Sequence, residues 1–502
     1  MIFTLLRKLY RTRLLTFVGL YRLLEAILTT GVNLMALLRI AAKLHPDRIA
    51  VIDDQEELTY AKLWQQAEAV AVGLQRECGI QPRQRVAIAS RNHAAAIKAI
   101  FAVSRLGADV FLVNPEMSAD QIRAMEHQLQ FDYYIHDPEI SPLIEDLSLG
   151  HKAIPTYHPS GHSIDQMAVT PQATTTPLRK VKTGKVVVMT GGTTGQPKPA
   201  SRKPSLFDFL PPFIALLAQV HLDRYRTVYI ATPIYHGFGL AALLIGVTLG
   251  AQQYFTRRFD AGRACDLIAQ EKIEVITLVP LMLQRMLNHN AQALSSLQRI
   301  LTGGAALRPA LAQATLEQLG PVLFNLYGTS EAGFCILADP ELLQRQPESI
   351  GLPITGVQVQ IQRDGPSLKG QLCIRSAWSA GAKGWIETGD LAYRAGEGTI
   401  FLCGRVDDMI VSGGENVYPL ELENVLLQHP GIEAAVVLGI PDPEFGQRLK
   451  AIVIPKPDEG LDQATVLAWL KPRVARYQMP AVIEFRQALP YTSLGKLNRK
   501  AL

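Results

Sequence analysis

The chain has 502 residues, 48% of them hydrophobic and 19% charged, which is enough for several buried cores and excludes a disordered, collagen-like or disulfide-stapled protein. A formal charge of +5 is too small at this length to argue for a nucleic-acid partner. Five cysteines (Cys78, Cys265, Cys335, Cys373, Cys403) lie scattered with no C-x-x-C pair, as expected of free thiols in a reducing, cytoplasmic setting.

Residues 1–24 carry Arg7, Lys8, Arg11, Arg13 and Arg22 and no acid, so this segment alone matches the excess charge of the whole chain. On a helical wheel Arg7, Lys8, Arg11, Arg22 and Glu25 fall within roughly a 100° arc. Leu5, Leu6, Tyr10, Phe17, Leu20, Leu23 and Leu24 lie opposite, and Arg13 is out of place. Arg22, Glu25 and Arg39 interrupt any apolar run of the roughly 18 residues a spanning helix needs, and no small-residue cleavage site of the signal-peptide type is present. Two readings stay open. One is an interfacial helix, at the inner face of a membrane, with its arginines near anionic lipid; the other is a helix packed on the protein body or on a second subunit.

From residue 58 to about 135, helical and strand-like pieces alternate: a helix at Leu58–Gly73, a strand at Arg85–Ala89, a helix at His93–Leu106 ending at Gly107. Such alternation predicts a mostly parallel sheet with crossover helices. Residues 151–183, rich in Pro, Thr, Ser and His, read as a surface loop. Strands are predicted at Val186–Met189, Thr227–Ala231, Val275–Val279 and Val322–Leu326, each running into a Gly, Pro or polar cluster where open α/β sheets bind ligands. Beyond about 350 the short strands Val357–Ile361, Gln371–Ile374 and Thr399–Cys403 suggest a small β subdomain. A last unit has a helix at Leu420–Gln428, strands at Ala434–Leu438 and Ala451–Ile454, a helix at Gln463–Val474 and a basic tail.

The chemistry concentrates in a few stretches. Val186-Val-Val-Met-Thr-Gly-Gly-Thr-Thr-Gly-Gln-Pro-Lys198 runs a strand into glycines, threonines and a lysine, residue types that let backbone N–H groups, hydroxyls and an ammonium surround phosphate; the spacing is not that of a Walker loop. Tyr327-Gly-Thr-Ser-Glu331 sets a carboxylate and hydroxyls after a strand, and Thr388-Gly-Asp390 offers a carboxylate suited to a ribose diol. Gly404-Arg-Val-Asp-Asp-Met-Ile-Val-Ser-Gly-Gly-Glu-Asn-Val-Tyr-Pro-Leu-Glu-Leu-Glu423 and Thr492-Ser-Leu-Gly-Lys-Leu-Asn-Arg499 complete the series.

In this order, over roughly residues 45–502, the stretches resemble the adenylate-forming superfamily of acyl- and aryl-CoA synthetases, luciferases and peptide-synthetase adenylation domains. The texture is closest to the acyl-CoA and aryl-CoA ligases. The resemblance implies an α/β fold with a large N-terminal domain of β/α subdomains plus a small β subdomain, and a small mobile α+β C-terminal domain. The corresponding boundaries are 1–44 for the basic amphipathic segment, 45–405 for the large ATP- and acid-binding domain and 406–502 for the small domain.

It also implies roles, with ATP, Mg²⁺ and CoA as cofactors. Thr190, Gly192, Thr193, Thr194, Gly195 and Lys198 belong to the loop that closes over the β- and γ-phosphates. Glu331 holds Mg²⁺, Tyr327 and Gly328 lie beside adenine, and Thr329 is near the α-phosphate. Asp390 and Arg405 bind ribose, Asp407 is the hinge, and Lys496 bridges the substrate carboxylate and the α-phosphate. His236 sits where the CoA tunnel meets the acyl site, and Gly413 and Gly414 line the pantetheine path. Joining a carboxylate to the α-phosphate brings two anions together, so a metal ion at Glu331 and the ammonium of Lys496 suit the developing charge.

Two positions depart from the family pattern: Gly191 stands where serine is usual and Pro199 where glycine is usual. With Pro197 and Pro199 fixing φ on both sides of Lys198, slower adenylation is expected. The aspartate that pairs an amino acid's ammonium in peptide synthetases is absent near His236, which disfavours amino acids. The apolar segment 237–250 and the small residues of Thr302-Gly-Gly-Ala-Ala-Leu307, Gly303 and Gly304 among them, suit a fatty or aryl acid. The expected activity is ATP-dependent acyl-AMP formation followed by transfer to CoA. The alternatives are an acyl-AMP ligase that loads a carrier-protein pantetheine and a non-catalytic nucleotide-binding partner protein.

Overall fold

The computed structural model describes residues 8, 10–14, 16–145, 152–158, 162–170, 178–191, 197–202, 210–363, 368–380, 384–412, 415–443, 445–457, 460–492 and 497–502. Three sheets organise them.

A six-stranded sheet has the order Ala153–Pro155, Tyr133–His136, Arg85–Ala89, Asp109–Val113, Val186–Gly191, Pro197–Arg202, parallel except for the last pair. Its helices start where sequence chemistry allows. Thr59 caps the Tyr60–Arg76 helix by accepting from Lys62 N–H, so the helix begins two residues later than the 58–73 pattern suggested, and Leu58 falls in the strand Glu57–Thr59. The Ala94–Arg105 helix is capped by the His93 ring, and Gly107 beyond its end has φ +70°, a conformation that favours glycine.

The 151–183 stretch is not simply a loop. It contributes the edge strand Ala153–Pro155 and the helix Ile164–Val169, whose Met167 packs so closely on Gly73 that a Cβ there would lie 2.9 Å from it. Burial of Ile154, Ile164 and Met167 outweighs the polar composition around them.

The second sheet has thirteen strands. Six of them, Leu323–Thr329, Arg299–Gly303, Val275–Leu278, Thr227–Ile230, Gln252–Tyr254 and Ile49–Ile52, run parallel in that spatial order. The small β subdomain expected after residue 350 is continuous with them. Strand Ser349–Pro353 pairs with Gly333–Ala338 on one side and Thr399–Arg405 on the other, and the antiparallel strands Ile386–Ala395, Gly370–Arg375 and Gln358–Gln362 follow. Gly351 at this junction has φ +106°, and a Cβ on it would lie 2.0 Å from the Leu337 carbonyl oxygen.

The third sheet, built from Ile410–Ser412, Glu415–Val417, Ile432–Asp442, Gly446–Pro455 and Val482–Phe485, packs on the Pro419–Leu426 and Gln463–Leu470 helices around Val437, Ala451, Val466 and Leu470. The last helix stops at Leu470, short of the expected Val474.

The N-terminal segment forms no single amphipathic helix over 1–24. Arg13 has φ +62°, and the helix Phe17–Thr29 starts anew from Thr16, whose side chain accepts from Gly19 N–H. It packs on the Leu34–Leu44 helix through Ala26, Ala36, Ile40 and Leu44. Among the described residues no helix is long and apolar enough to cross a membrane.

Candidate active site

A cavity of about 2290 Å³ opens at the carboxyl ends of the parallel strands and continues beneath the C-terminal unit. Thr329, Glu331, Asp390, Arg405 and Asp407, expected from the sequence to act together, all line it.

The centre of this polar end is a carboxylate fixed from two sides. Tyr327 donates its hydroxyl to Asp390 Oδ2 at 2.6 Å, and Arg405 Nη1 donates to Asp390 Oδ1 at 3.0 Å and to the Thr388 carbonyl at 3.1 Å. The pairing is written in the sheet, where Asp390 stands directly opposite Arg405 in the antiparallel ladder. Between Thr388 and Asp390, Gly389 has φ +74°, and a Cβ there would lie 2.8 Å from the Arg405 guanidinium. Thr388, a residue without an assigned role in the sequence reading, accepts from Asp390 N–H at 3.1 Å and donates to the Leu372 carbonyl. Its place two residues before Asp390 was the available signal.

Burial, and then the Asp390 charge, push the Tyr327 hydroxyl well above its ordinary pKa, so it stays a donor. Burial opposes the charge on Arg405, but Asp390, Asp407 and Asp408 outweigh it and raise the guanidinium pKa. With Tyr327 and Arg405 both engaged on its oxygens, Asp390 keeps lone pairs for a diol, the chemistry expected of a ribose contact.

Gly328 passes so close to the neighbouring strand that a Cβ would be 2.2 Å from the Gly333 carbonyl oxygen. Thr329 Oγ1 accepts from Ala332 N–H at 3.0 Å, which folds the Ser330–Glu331 turn and leaves Glu331 exposed to the cavity. No group of three or more His, Cys, Asp and Glu converges among the described residues. A single cavity-facing carboxylate fits Mg²⁺, which is commonly held by one or two carboxylates together with substrate phosphates.

Thr190 and Lys198, expected in the phosphate loop, are register partners between the antiparallel strands Val186–Gly191 and Pro197–Arg202, as are Gly191 and Pro197. Gly192, Thr193, Thr194 and Gly195 lie outside the described residues, as do Gly413, Gly414 and Lys496. Pro197 and Pro199 fall in the outermost strand of the six-stranded sheet, the position where a strand tolerates proline. The segment bearing Lys496 is closed at its base by the Tyr491–Leu497 bridge and by Asn498 N–H donating to Pro490, and Tyr491, Thr492, Leu497 and Asn498 line the cavity.

The other end is apolar. The uncharged segment 237–250 is the helix Gly237–Leu249, which follows His236, and both line the cavity. Phe238, Leu244, Ile245 and Leu249 of this helix, with Trp378, extend the lining; the tryptophan went unnoticed in the sequence because no motif surrounds it. Gly304 lines the cavity with Ala305 to Leu307, whereas Gly303 is not among the lining residues and is needed for sheet packing, a Cβ there falling 2.6 Å from the Leu326 carbonyl oxygen.

Ser90, His93 and Asp137 also meet, at 2.5–2.8 Å, but all are buried and none lines the cavity. They cap and cross-link the interior, away from the cavity. The cysteines Cys265, Cys335, Cys373 and Cys403 are buried as well.

A mixed sheet ending in a fixed carboxylate and a Thr–Ser–Glu turn, with a small C-terminal unit over it, defines an adenylate-forming enzyme. The chain belongs to the AMP-binding enzyme family: the family profile matches residues 38–383, and that of the AMP-binding enzyme C-terminal domain matches residues 421–496. It is 30% identical over 479 residues to a feruloyl-CoA synthase of Amycolatopsis sp, covering 91% of this chain and 95% of the relative. It is 29% identical over 485 residues to a 2-succinylbenzoate–CoA ligase of Staphylococcus aureus, covering 90% and 96%. An amide bond synthetase from Marinactinospora thermotolerans superposes with a TM-score of 0.82 at 25% identity, covering 93% of this chain and 98% of that one.

Proposed function

We propose that this protein is an AMP-forming acid–thiol ligase for an elongated apolar carboxylic acid, of fatty rather than compact aryl type. Membership of the AMP-binding enzymes, with relatives named as CoA ligases, makes it a ligase that uses ATP, Mg²⁺ and CoA. The observation that carries the choice of acid is the apolar limb of the cavity, which runs past the uncharged Gly237–Leu249 helix to Leu14, Leu20 and Leu23. Burying a methylene chain there is worth about 0.8 kcal/mol per CH₂.

In this reading Asp390, steadied by Tyr327 and Arg405, orients the nucleotide through its ribose. Thr329 and the phosphate loop position the triphosphate, and Lys496, on the segment anchored at Tyr491–Leu497, brings the acid's carboxylate to the α-phosphate. Mg²⁺ at Glu331 would supply charge neutralisation. His236, Gly304, Gly413 and Gly414 belong to the acid and thiol paths. The parts that work against each other are residues 45–405 and 406–502, turning at Asp407 so that one site serves two half-reactions.

Pyrophosphate release from ATP, measured across fatty, aryl and amino acids with and without CoA, tests the reading. Release with long-chain acids and CoA-dependent turnover support it. Release with aryl acids alone overturns the choice of acid, turnover that needs a carrier protein overturns the acceptor, and no release despite ATP binding overturns the ligase.

A further inference from the structure

The helix Phe17–Thr29 is apolar on two faces, and only one of them is packed. Phe17, Leu20, Tyr21, Leu24 and Leu28 recur at the three- and four-residue spacing of one helical face, and that face is bare: Phe17 is 96% exposed, Leu20 46%, Tyr21 61%, Leu24 56% and Leu28 61%. The face turned to the protein is a different one, made of Gly19, Leu23 and Ala26, with Arg22 and Glu25 along its edge. Glu25 accepts from Arg22 and from Arg39, both at 2.8 Å, and Arg39 lies over the Trp64 ring. A surface helix of a soluble body usually leaves its outer face polar, so the bare stripe needs an occupant.

Two further features say which. First, cations gather on the side from which the chain enters the helix, Arg11 and Arg13 just before it. Arg48 lies within electrostatic reach of Arg13 and Arg226, and Lys8 within reach of Arg11 and Arg224. Against these stand Asp223, whose buried carboxylate lies 3.7 Å from Arg11, Glu274, which accepts from Arg226 N–H at 2.7 Å, and the exposed Asp47. Cations gathered on one side repel one another unless an anionic surface meets them. A second copy of the chain docked symmetrically would bring the same cations to the interface and add to the repulsion.

Second, the helix is a wall of the active-site cavity. Leu20 and Leu23 line it from this helix, with Leu14 before it and Val32 after it. Leu20 and the 37%-exposed Val32 belong both to the lining and to the surface, so the apolar end of the cavity reaches solvent beside the bare stripe. Lys8 straps the segment in place by donating to the Leu217 and Ala218 carbonyls, a buried role that removes this cation from the lipid-facing set expected from the helical wheel. The family profile begins at residue 38, so this helix lies outside the part matched to AMP-binding enzymes.

We propose that the Phe17–Thr29 helix docks the protein on an anionic lipid surface and that its acid substrate passes from the bilayer into the cavity between Leu20 and Val32. The delivery half rests on the acid–thiol ligase reading; the docking half does not. Phe17, Tyr21, Leu24 and Leu28 lie in the headgroup region, with Arg11, Arg13, Arg48, Arg224 and Arg226 over the phosphates.

Flotation of the full chain with phosphatidylcholine vesicles, with and without phosphatidylglycerol, tests the docking. The expected result is binding that needs the anionic lipid, falls with salt, and weakens roughly fivefold for each of R13Q and R226Q. The variant F17Q/Y21Q/L24Q, altered only at exposed positions outside the cavity lining, is expected to lose flotation while keeping pyrophosphate release with a short, water-soluble acid. Its turnover of a long-chain acid supplied in vesicles is expected to fall at least in proportion to binding. Absence of flotation by the parent chain overturns the docking. So does flotation unaffected by F17Q/Y21Q/L24Q, or a concentration-dependent dimer that this variant abolishes in the absence of vesicle binding. Flotation with no pyrophosphate release from any acid overturns the ligase reading instead. Flotation with equal turnover of vesicle-borne acid by parent and variant overturns the delivery.

Discussion

Replacing Arg499 with glutamine should separate the two half-reactions. Arg499 donates to the Val437 carbonyl at 2.8 Å and to Glu423 Oε1 at 2.9 Å, and lies 3.5 Å from Asp408, next to the proposed hinge. It thereby ties the tail that carries Lys496 both to the interior of the C-terminal unit and to the turn on which that unit swings. Glu423 is buried and also accepts from Val437 N–H at 2.9 Å; burial raises its pKa against the opposing pull of Arg499, so losing the guanidinium raises it further. Charged hydrogen bonds are worth about 1.5–3 kcal/mol each, and partial exposure of the guanidinium puts the sum for tail docking at roughly 2–3 kcal/mol. That corresponds to a detached tail populated about 30- to 150-fold more often. Amide exchange over residues 497–502 should accelerate by that factor in R499Q. Adenylation should slow, thioester formation from supplied acyl-AMP should persist, and R499K should recover part of the loss. Equal slowing of both half-reactions, or unchanged tail exchange, would refute the tether.

Three further outcomes are expected. Lys496→Ala should reduce adenylation by roughly 10²- to 10³-fold, the size of losing one charge-stabilising donor, and spare the thioester step when acyl-AMP is supplied; rapid-quench measurement of the two steps checks this. Tyr327→Phe removes one of the two groups that hold Asp390 and should raise the KM for ATP by about tenfold with little change in the KM for the acid, a split visible in steady-state kinetics. His45, held down to about 4 by burial and then by Arg48 and Arg13, binds its proton in the unfolded chain near its ordinary 6.5 but in the folded chain only far lower. Stability should therefore fall as pH drops through this window, by about 2 kcal/mol between pH 7.5 and 5. Urea unfolding at the two pH values should show that slope in the parent chain and its reduction in H45Q.

The site's grammar was readable because its chemistry needs special residues at fixed positions. Asp390, Arg405, Tyr327 and Thr329 stood out as polar groups at strand ends, and they converge. What surrounds them was less legible, because packing rather than spacing decides it. The segment 237–250 has no periodicity to betray a helix, since it is apolar on every side. Ala153–Pro155 and Ile164–Val169 hid within Pro- and Thr-rich neighbours because only a few apolar side chains fix them. At the N-terminus the wheel separated charges from apolar residues over Phe17–Thr29 but said nothing about which face turns inward; packing of Leu23 and Ala26 on Ala36, Ile40 and Leu44 decides that, and those partners lie on another element. Gly303 looked like a site glycine because it neighbours Gly304, when a carbonyl across the sheet is what excludes its side chain.

Gly351 lies in the strand that joins the small β subdomain to the rest of the large sheet, and that junction makes the nucleotide site sensitive to damage far from it. Tyr327 belongs to a strand on one side of the seam, and Asp390 and Arg405 to strands on the other, so their hydrogen bonds measure how closely the two halves are held. A side chain at 351, forced against the Leu337 carbonyl, wedges the seam open without touching any ligand-facing group. Such a lesion would masquerade as a defect in nucleotide affinity, and an inherited or screened variant at this glycine should be diagnosed as architectural before it is taken for a lesion of the binding site.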